Sequence, residues 1–174
     1  MNPTAAVSLD THAIVALGAN EGRPAEQVRA AFRAVAGLAA TPPVVSGLWR
    51  SEPVDCPPGS PPFINAVMAF EPRPGATPES LLAGLRAIER VFGRRPRSIP
   101  NAPRPLDLDL IAFRREIRAT PFLTLPHPRA HQRAFVLAPL AEIAPGLCLP
   151  GRLAGVRELL AALPPAIARP RRVG

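Results

Sequence analysis

The sequence predicts an α+β domain with a ferredoxin-like βαββαβ sheet, helices on one face of that sheet, and further elements added at the C-terminus. Short apolar runs of strand length alternate with segments of helical periodicity in that order. Prolines stand where both helices would begin, and 174 residues are enough to bury one core. We therefore expect a single domain over residues 1–174, with flexible ends at residues 1–12 and 169–174.

The first half of this pattern contains a strand, a helix and a second strand. Ala13 to Ala19 is a short apolar run that ends in a Gly-Ala-Asn turn, and Pro24 suits the first position of the helix that follows. Apolar residues then recur at helical spacing, at Val28, Phe32, Val35 and Leu38. Val44 to Arg50 is predicted as the second strand.

The second half repeats the pattern after a loop rich in proline and glycine, residues 51–62. Phe63 to Glu71 is the third strand, and Thr77 caps a second helix that ends at Gly93. A basic loop, Arg94 to Arg104, then leads to a strand that carries two aspartates. The remaining predicted elements are helices at Arg133 to Ile143 and Val156 to Leu163, and a frayed basic tail, Arg169 to Gly174.

Composition limits the function classes without deciding between them. The net charge of +8 comes entirely from arginine and fits a polyanionic ligand, either nucleic acid or nucleotide. Cys56 and Cys148 have no metal-ligand spacing, so we interpret them as reduced thiols. Because the sequence has no signal-like start and no apolar run of membrane length, we expect a cytoplasmic protein that does not contact the membrane.

The most informative segment is Pro103 to Ile111, in which aliphatic residues alternate with carboxylates directly after an arginine. In a strand, Asp107 and Asp109 would share one face, and Arg104 would lie beside them. Two such carboxylates can hold a pair of Mg²⁺ ions together with substrate phosphates, which the arginine would also meet. The alternative is an amphipathic strand with a solvated face. A cation explains better why like charges stand two residues apart in a strand.

These motifs, taken in order along the chain, resemble those of the 6-hydroxymethyl-7,8-dihydropterin pyrophosphokinase family. The matching segments are Ala16 to Asn20, Trp49 to Ser51, Phe63 to Ala66, Ile88 with Glu89, Gly93 with Arg94, Pro103 to Asp109, and Leu123 to His127 with Arg133 and Phe135. The resemblance implies an enzyme of folate biosynthesis that transfers pyrophosphate from ATP to 6-hydroxymethyl-7,8-dihydropterin and releases AMP. It also implies two Mg²⁺ ions and an in-line attack on the β-phosphorus.

The resemblance also implies roles for individual residues. Asp107 and Asp109 would bind the metal ions, and with Arg94 and Arg104 they would form the catalytic set. The residues implied in ATP binding are Arg94, Arg104, His127, Arg133, Glu89, Leu110 and Thr124. Those implied in pterin binding are Ser51, Val54, Phe63, Asn65, Phe135 and Asp107.

Some positions leave alternatives open. Asn101 stands where some family members have a tryptophan that closes over the pterin, and Pro128 stands where a tyrosine is frequent. A salt bridge would explain Glu89 as well as a nucleotide contact would, and Phe63 and Phe135 would also suit a core. A base role for Asp109 stays open, because a bound metal lowers its basicity.

Two other function classes compete with this interpretation. A ferredoxin-like RNA-binding module would explain the charge, but its open sheet face would display aromatic residues instead of two aspartates. A catalytically inactive relative that acts as a partner protein would not need all six charged or histidine residues of the motif, which are Arg94, Arg104, Asp107, Asp109, His127 and Arg133. We therefore expect a monomeric enzyme with ATP and the pterin as partners and no nucleic acid.

Overall fold

The computed structural model describes residues 6–94 and 101–173, so most of the predicted basic loop, residues 95–100, lies outside the described residues. The elements in chain order are β1 (Ala13–Ala19), α1 (Pro24–Ala36), β2 (Val44–Val45), β3 (Leu48–Ser51), β4 (Phe63–Phe70), α2 (Pro78–Val91), β5 (Asp107–Phe113), β6 (Arg118–Ala119), β7 (Thr124–Leu125), a 3₁₀ helix (Ala130–Gln132), α3 (Ala134–Ile143), α4 (Val156–Ala162) and β8 (Arg171–Val173).

A six-stranded antiparallel sheet forms the centre of the fold. Its order is β5-β1-β4-β3-β8, with β2 also paired to β4, while β6 and β7 form a separate two-stranded sheet. The strands that correspond to the predicted βαββαβ unit therefore lie in the order fourth, first, third, second. This arrangement confirms the predicted ferredoxin-like α+β class.

Both helices of this unit begin as the sequence predicts. At α2, Thr77 and Ser80 form a reciprocal capping box, in which the Ser80 amide donates to Thr77 Oγ1 at 3.1 Å and the Thr77 amide donates to Ser80 Oγ at 2.9 Å. At α1, the side chain of the preceding Arg23 does not cap the helix. Pro24 has a φ angle already suited to a helix, and its missing N–H costs nothing because the first helical residue has no partner for one.

The helices cover the two faces of the sheet unequally. Helices α1 and α2 pack on one face, where Val28, Val35 and Leu85 meet Leu17 and Leu108 in a continuous core. The C-terminal additions α3 and α4 pack on the other face against a second set of apolar strand residues, Ile14, Val67, Ala69, Ile111 and Ala112. Helix α3 is apolar on nearly all sides, so it has to be enclosed. The two helices of the predicted unit lie on one face, and the predicted C-terminal additions cover the other.

Among the described residues, the C-terminal helices α3 and α4 leave one end of the second face open. Gly18 on β1 pairs with Asn65 of β4 on one side and with Asp107 of β5 on the other, and Ala16 pairs with Asp109. These positions continue the face of Ile14 and Val67 beyond the end of α3. Small residues therefore form a floor between polar side chains.

Two sequence expectations differ from the structure. The predicted second strand is divided into β2 and β3 because the Ser46 side chain accepts from the Val67 amide at 2.9 Å and replaces a ladder bond. The expected tail is not frayed at Arg171–Val173, which pair with β3. Near the N-terminus, Leu9 is buried and the His12 carbonyl accepts from the Arg114 amide, so these two residues are packed against the domain, and flexibility of residues 1–12 stays a prediction. No helix among the described residues is both long and apolar enough to cross a bilayer.

Candidate active site

A cleft with about 620 Å³ of empty space, including its open mouth, lies over the open end of the second sheet face. Ala16 and Gly18 line its floor, Phe63 and Asn65 line one side, and Asp107 and Asp109 line the other. A Cβ atom added to Gly18 would lie 3.4 Å from Asn65 Oδ1, so the glycine leaves this floor open to a flat ligand. The cleft has the concave shape and the mixed polar and apolar lining of a small-molecule site.

Asp107 is held by two arginines. Its Oδ1 accepts from Arg94 Nη1 at 2.6 Å and its Oδ2 accepts from Arg104 Nη1 at 2.7 Å. The Asp107 and Arg104 side chains keep only 22% and 16% of their surface exposed, so these charge-assisted bonds are partly shielded from solvent. Both oxygens of this carboxylate therefore have cationic partners.

Asp109 has looser partners and a different electrostatic environment. Its Oδ2 lies 3.5 Å from Arg133 Nη1 and 4.0 Å from His127 Nε2. Burial, followed by the negative charge of Asp107, raises the pKa of Asp109, while His127 and Arg133 act in the opposite direction. Burial is also the main cause that lowers the pKa of His127. A cation between the two aspartates would relieve their repulsion.

The donor set at this point suits a metal ion that is shared with a ligand. The described residues contain no group of three or more His, Cys, Asp or Glu side chains that could hold an ion alone. Two hard carboxylates are what Mg²⁺ takes from a protein when phosphates and water complete its coordination shell. Asp107 and Asp109 therefore fit Mg²⁺ bound jointly with a polyphosphate.

Glu89 supports this cluster from below. Its side chain is buried, its Oε1 contacts Arg94 Nη1, and the same oxygen accepts from the Leu108 amide at 2.8 Å. Burial is the largest cause of a raised pKa at Glu89. The Glu89 carboxylate therefore connects α2 to β5 and forms an ion pair with Arg94. This salt bridge is an explanation of Glu89 that needs no nucleotide. A nucleotide contact by Glu89 stays a prediction.

The other side of the cleft carries the predicted pterin residues. The Asn65 amide nitrogen donates to Ser51 Oγ at 2.9 Å and to the Trp49 carbonyl at 3.3 Å. Its Oδ1 accepts no hydrogen bond within residues 6–94 and 101–173, so this amide offers an acceptor to a ligand. Both hydrogen bonds of its amide nitrogen are made inside the protein.

Two aromatic rings stand near this amide, each in contact with an arginine. The Arg104 guanidinium carbon is 5.9 Å from the centre of the Phe63 ring, and that of Arg133 is 5.4 Å from the centre of the Phe135 ring. Both rings line the cleft. Phe135 also packs against the core of the second sheet face, so the core alternative stays open for it.

The cleft lining includes further residues near its mouth. Val54, which was among the predicted pterin residues, is exposed there. Asn101 also lines the cleft and donates to the Asp55 carbonyl at 2.8 Å. Cys56 lines it too, although nothing in its sequence context marks it as more than a free thiol.

Two predicted nucleotide residues stand apart from this cluster. The Leu110 side chain lies in the core beneath α1 and α2, so only its main-chain atoms are available to a ligand. Thr124 is exposed on β7 of the small two-stranded sheet. The structure thus brings eleven predicted site residues together around the cleft. They are Ser51, Val54, Phe63, Asn65, Arg94, Arg104, Asp107, Asp109, His127, Arg133 and Phe135.

Comparison with known proteins identifies the family. A family model described as 7,8-dihydro-6-hydroxymethylpterin-pyrophosphokinase (HPPK) matches residues 14–145. The 2-amino-4-hydroxy-6-hydroxymethyldihydropteridine pyrophosphokinase of Pseudomonas aeruginosa is 44% identical over 152 residues, which are 86% of this chain and 90% of that protein. The protein of the same name from Haemophilus influenzae is 40% identical over 139 residues, 79% of this chain and 84% of that protein.

A solved structure with the same fold is the wild-type HPPK-DHPS of Plasmodium falciparum with pteroate. The TM-score is 0.65 at 12% identity, and the match covers 87% of this chain and 44% of that chain. This chain therefore spans less than half of that longer protein, and the likeness shows the fold alone. The family model and the two bacterial relatives show that the chain belongs to the 7,8-dihydro-6-hydroxymethylpterin-pyrophosphokinase family and is an enzyme that transfers a pyrophosphoryl group.

Proposed function

We propose that this enzyme transfers pyrophosphate from ATP to 6-hydroxymethyl-7,8-dihydropterin and releases AMP, as a step of folate biosynthesis. The observation that carries the proposal is the position of Asp107 and Asp109 on the same cleft as Asn65. A carboxylate pair that suits a metal–polyphosphate complex thus faces an acceptor that suits the edge of a heterocycle. A site for one substrate alone would not need both halves.

The pterin half is built for a flat, polar ring. The Phe63 and Phe135 rings supply apolar faces, and Asn65 Oδ1 supplies an acceptor for an N–H at the ring edge. The Ser51 hydroxyl accepts from Asn65, which fixes the amide in this orientation. We expect the site to reject rings that lack the matching N–H, because such rings would leave the buried Asn65 Oδ1 without a hydrogen bond.

The polyphosphate half is built for charge neutralisation. Arg94, Arg104 and Arg133 surround the two aspartates, and a guanidinium stays protonated at any working pH. Two Mg²⁺ ions held by Asp107 and Asp109 would polarise the phosphate oxygens and orient the triphosphate. The pterin hydroxymethyl oxygen would then form a bond to the β-phosphorus and lose its proton to water, while the bond from that phosphorus to the AMP oxygen breaks.

The residues that flank the aspartates would act by position. His127 and Arg133 lie beside Asp109, and Arg94 and Arg104 hold Asp107, so charges that develop on the phosphate oxygens would meet donors near both aspartates. The main chain of Leu110 and the side chain of Thr124 would contribute at the nucleotide end. We also propose that the chain works as one domain and as a monomer.

The RNA-binding alternative is not favoured by the open face. That face presents Asp107 and Asp109 in its described part, and carboxylates repel a phosphate backbone. A catalytically inactive relative would be expected to lack one or more of the six charged or histidine residues of the motif, and all six are present.

A product assay tests the proposal. We expect AMP release from ATP that requires both Mg²⁺ and 6-hydroxymethyl-7,8-dihydropterin, with a pterin product that is heavier by two phosphoryl groups in mass spectrometry. Chelation of Mg²⁺ should abolish the release. ADP as the nucleotide product, or AMP release that is independent of the pterin, would contradict the proposal.

A further inference from the structure

Asn20 is a buried polar residue at the end of the Ala16 to Asn20 motif. It directly follows β1, keeps 2% of its surface exposed, and does not line the cleft. Its Oδ1 accepts from the Arg104 amide at 2.8 Å, its main-chain amide donates to the Arg104 carbonyl at 3.1 Å, and its Nδ2 donates to the Pro61 carbonyl at 3.1 Å. A single side chain therefore binds two loops that are far apart in sequence.

These two loops form opposite walls of the cleft. Pro61 precedes Phe63 by two residues, at the start of β4, and Arg104 precedes Asp107 by three residues, at the start of β5. Strand β1 lies between β4 and β5, so Asn20 stands at the end of the strand that supplies the floor. Pairing of the strands fixes β4 and β5 below this point, whereas above it the loops depend on other contacts.

We propose that Asn20 is a positioning residue of the active site. On the proposed function, its amide sets the distance between the pterin wall, which begins at Pro61, and the phosphate wall, which begins at Arg104. The geometry suits this role, because the amide oxygen accepts from one wall and the amide nitrogen donates to the other. Reaction between two bound substrates depends on their alignment, and a displacement of about 1 Å can cost about 10²-fold in rate.

Two variants separate the two bonds. Asn20→Ala removes both, whereas Asn20→Asp keeps an oxygen that accepts from the Arg104 amide and loses the donor to Pro61. Ser46→Ala is a matched control, because Ser46 is also buried and accepts from a strand amide, that of Val67, but lies away from the cleft. It reports the effect of losing a buried hydrogen bond without a change of the cleft walls.

The first readout is structural and does not depend on activity. We expect the Arg104 amide to exchange its hydrogen at least tenfold faster in Asn20→Ala than in the wild type, and at an unchanged rate in Asn20→Asp and Ser46→Ala, as followed by NMR. Unchanged exchange in Asn20→Ala would overturn the proposal. If the wild type released no AMP, the proposed function would fail, while this readout would still decide whether Asn20 fixes the Arg104 loop.

The second readout separates alignment from general destabilisation. We expect kcat to fall about 10²-fold in Asn20→Ala, with a smaller fall in Asn20→Asp, while the affinity for a nonhydrolysable ATP analogue stays within about threefold in both. Ser46→Ala should lower the melting temperature and keep kcat. If Asn20→Ala does not fold, Asn20→Asp decides. A kcat within threefold of the wild type in a folded variant, or an equal fall in Ser46→Ala, would overturn the proposal.

Discussion

The guanidinium of Arg104 donates to Asp107 Oδ2 at 2.7 Å and at the same time stands 5.9 Å from the centre of the Phe63 ring. It therefore connects the carboxylate side of the cleft with its aromatic side. Arg94 donates to the other oxygen of Asp107, so arginines balance the negative charge of that carboxylate. Asp109 has only the longer contacts to Arg133 and His127. The two aspartates thus differ in what their removal would leave behind.

Replacement of either aspartate should remove most of the activity but affect stability differently. We expect Asp107→Ala and Asp109→Ala each to lower kcat by on the order of 10² to 10³, as is typical when a group that neutralises transition-state charge is lost. Asp107→Ala leaves Arg94 and Arg104 without a shared partner and should cost roughly 1 to 3 kcal/mol of unfolding free energy. Asp109→Ala should cost less, because its contacts are longer and its side chain is 37% exposed.

AMP release and thermal unfolding of the two variants check this expectation. A kcat within about threefold of the wild type, an effect below roughly 0.7 kcal/mol, would show that the metal assignment is wrong. Equal stability losses in the two variants would show that the arginine pair on Asp107 contributes nothing to the fold.

Asn65→Ala should weaken pterin binding far more than nucleotide binding. Its Oδ1 is the acceptor on the pterin side of the cleft, and its loss should cost about 1 to 3 kcal/mol, or roughly 5- to 150-fold in affinity for the pterin. Ser51→Ala is a companion variant that keeps the Asn65 amide but removes the hydroxyl that accepts from it at 2.9 Å, so its loss of pterin affinity should be smaller. Calorimetry with a nonhydrolysable ATP analogue, and then with the pterin, separates the two ligands. Equal losses for both would make Asn65 a structural residue.

The sequence was sufficient for most of the fold because its local signals are strong. Pro24 and the Thr77–Pro78 pair mark the helix starts, and the alternation around Asp107 and Asp109 marks a strand with two different faces. The two aspartates do share the cleft. Their partners could be assigned only through the resemblance, because Arg133 and His127 are distant in sequence and reach Asp109 only once α3 is packed.

What the sequence did not reveal depends on long-range pairing. The division of the second strand at Ser46 follows from a side-chain bond to Val67, which lies on another strand. The role of Asn20 follows from contacts with Pro61 and Arg104, residues 41 and 84 positions away. The tail strand forms because β3 leaves an edge that Arg171–Val173 can join. Periodicity describes one segment at a time and carries no information about such partners.

Removal of residues 171–174 should lower stability and leave catalysis unchanged. Arg171–Val173 pair with Leu48, Trp49 and Arg50, and Arg172 Nη2 lies 3.0 Å from Glu142 Oε1. The exposed ladder should contribute about 1 to 2 kcal/mol, measured by urea denaturation. Arg172→Ala removes only the ion pair and should cost less than about 1 kcal/mol. A truncated chain as stable as the wild type would restore the frayed-tail prediction.

Arg94→Ala should lower kcat much more than nucleotide affinity. Arg94 Nη1 contacts both Glu89 and Asp107, so its charge is held against the carboxylate that is proposed to bind the metal–triphosphate complex. A group placed there meets the phosphoryl oxygens most strongly as their charge rearranges in the transition state. We expect a fall in kcat of on the order of 10² to 10³ and a change in the affinity for a nonhydrolysable ATP analogue of less than about tenfold, or 1.4 kcal/mol.

Arg90→Ala is the matched control for this variant. It removes the same charge from the last turn of α2, and its side chain has no hydrogen bond or ion pair among the residues that the structure describes. Arg94→Lys tests the geometry, since an ammonium keeps the charge but carries it as a compact point charge on a differently shaped stem, so it should restore activity only in part. Single-turnover measurements at saturating ATP and pterin separate the chemical step from product release. A fall in kcat of similar size in Arg90→Ala would mean that net charge, and not the Arg94 contact with Asp107, supports the reaction.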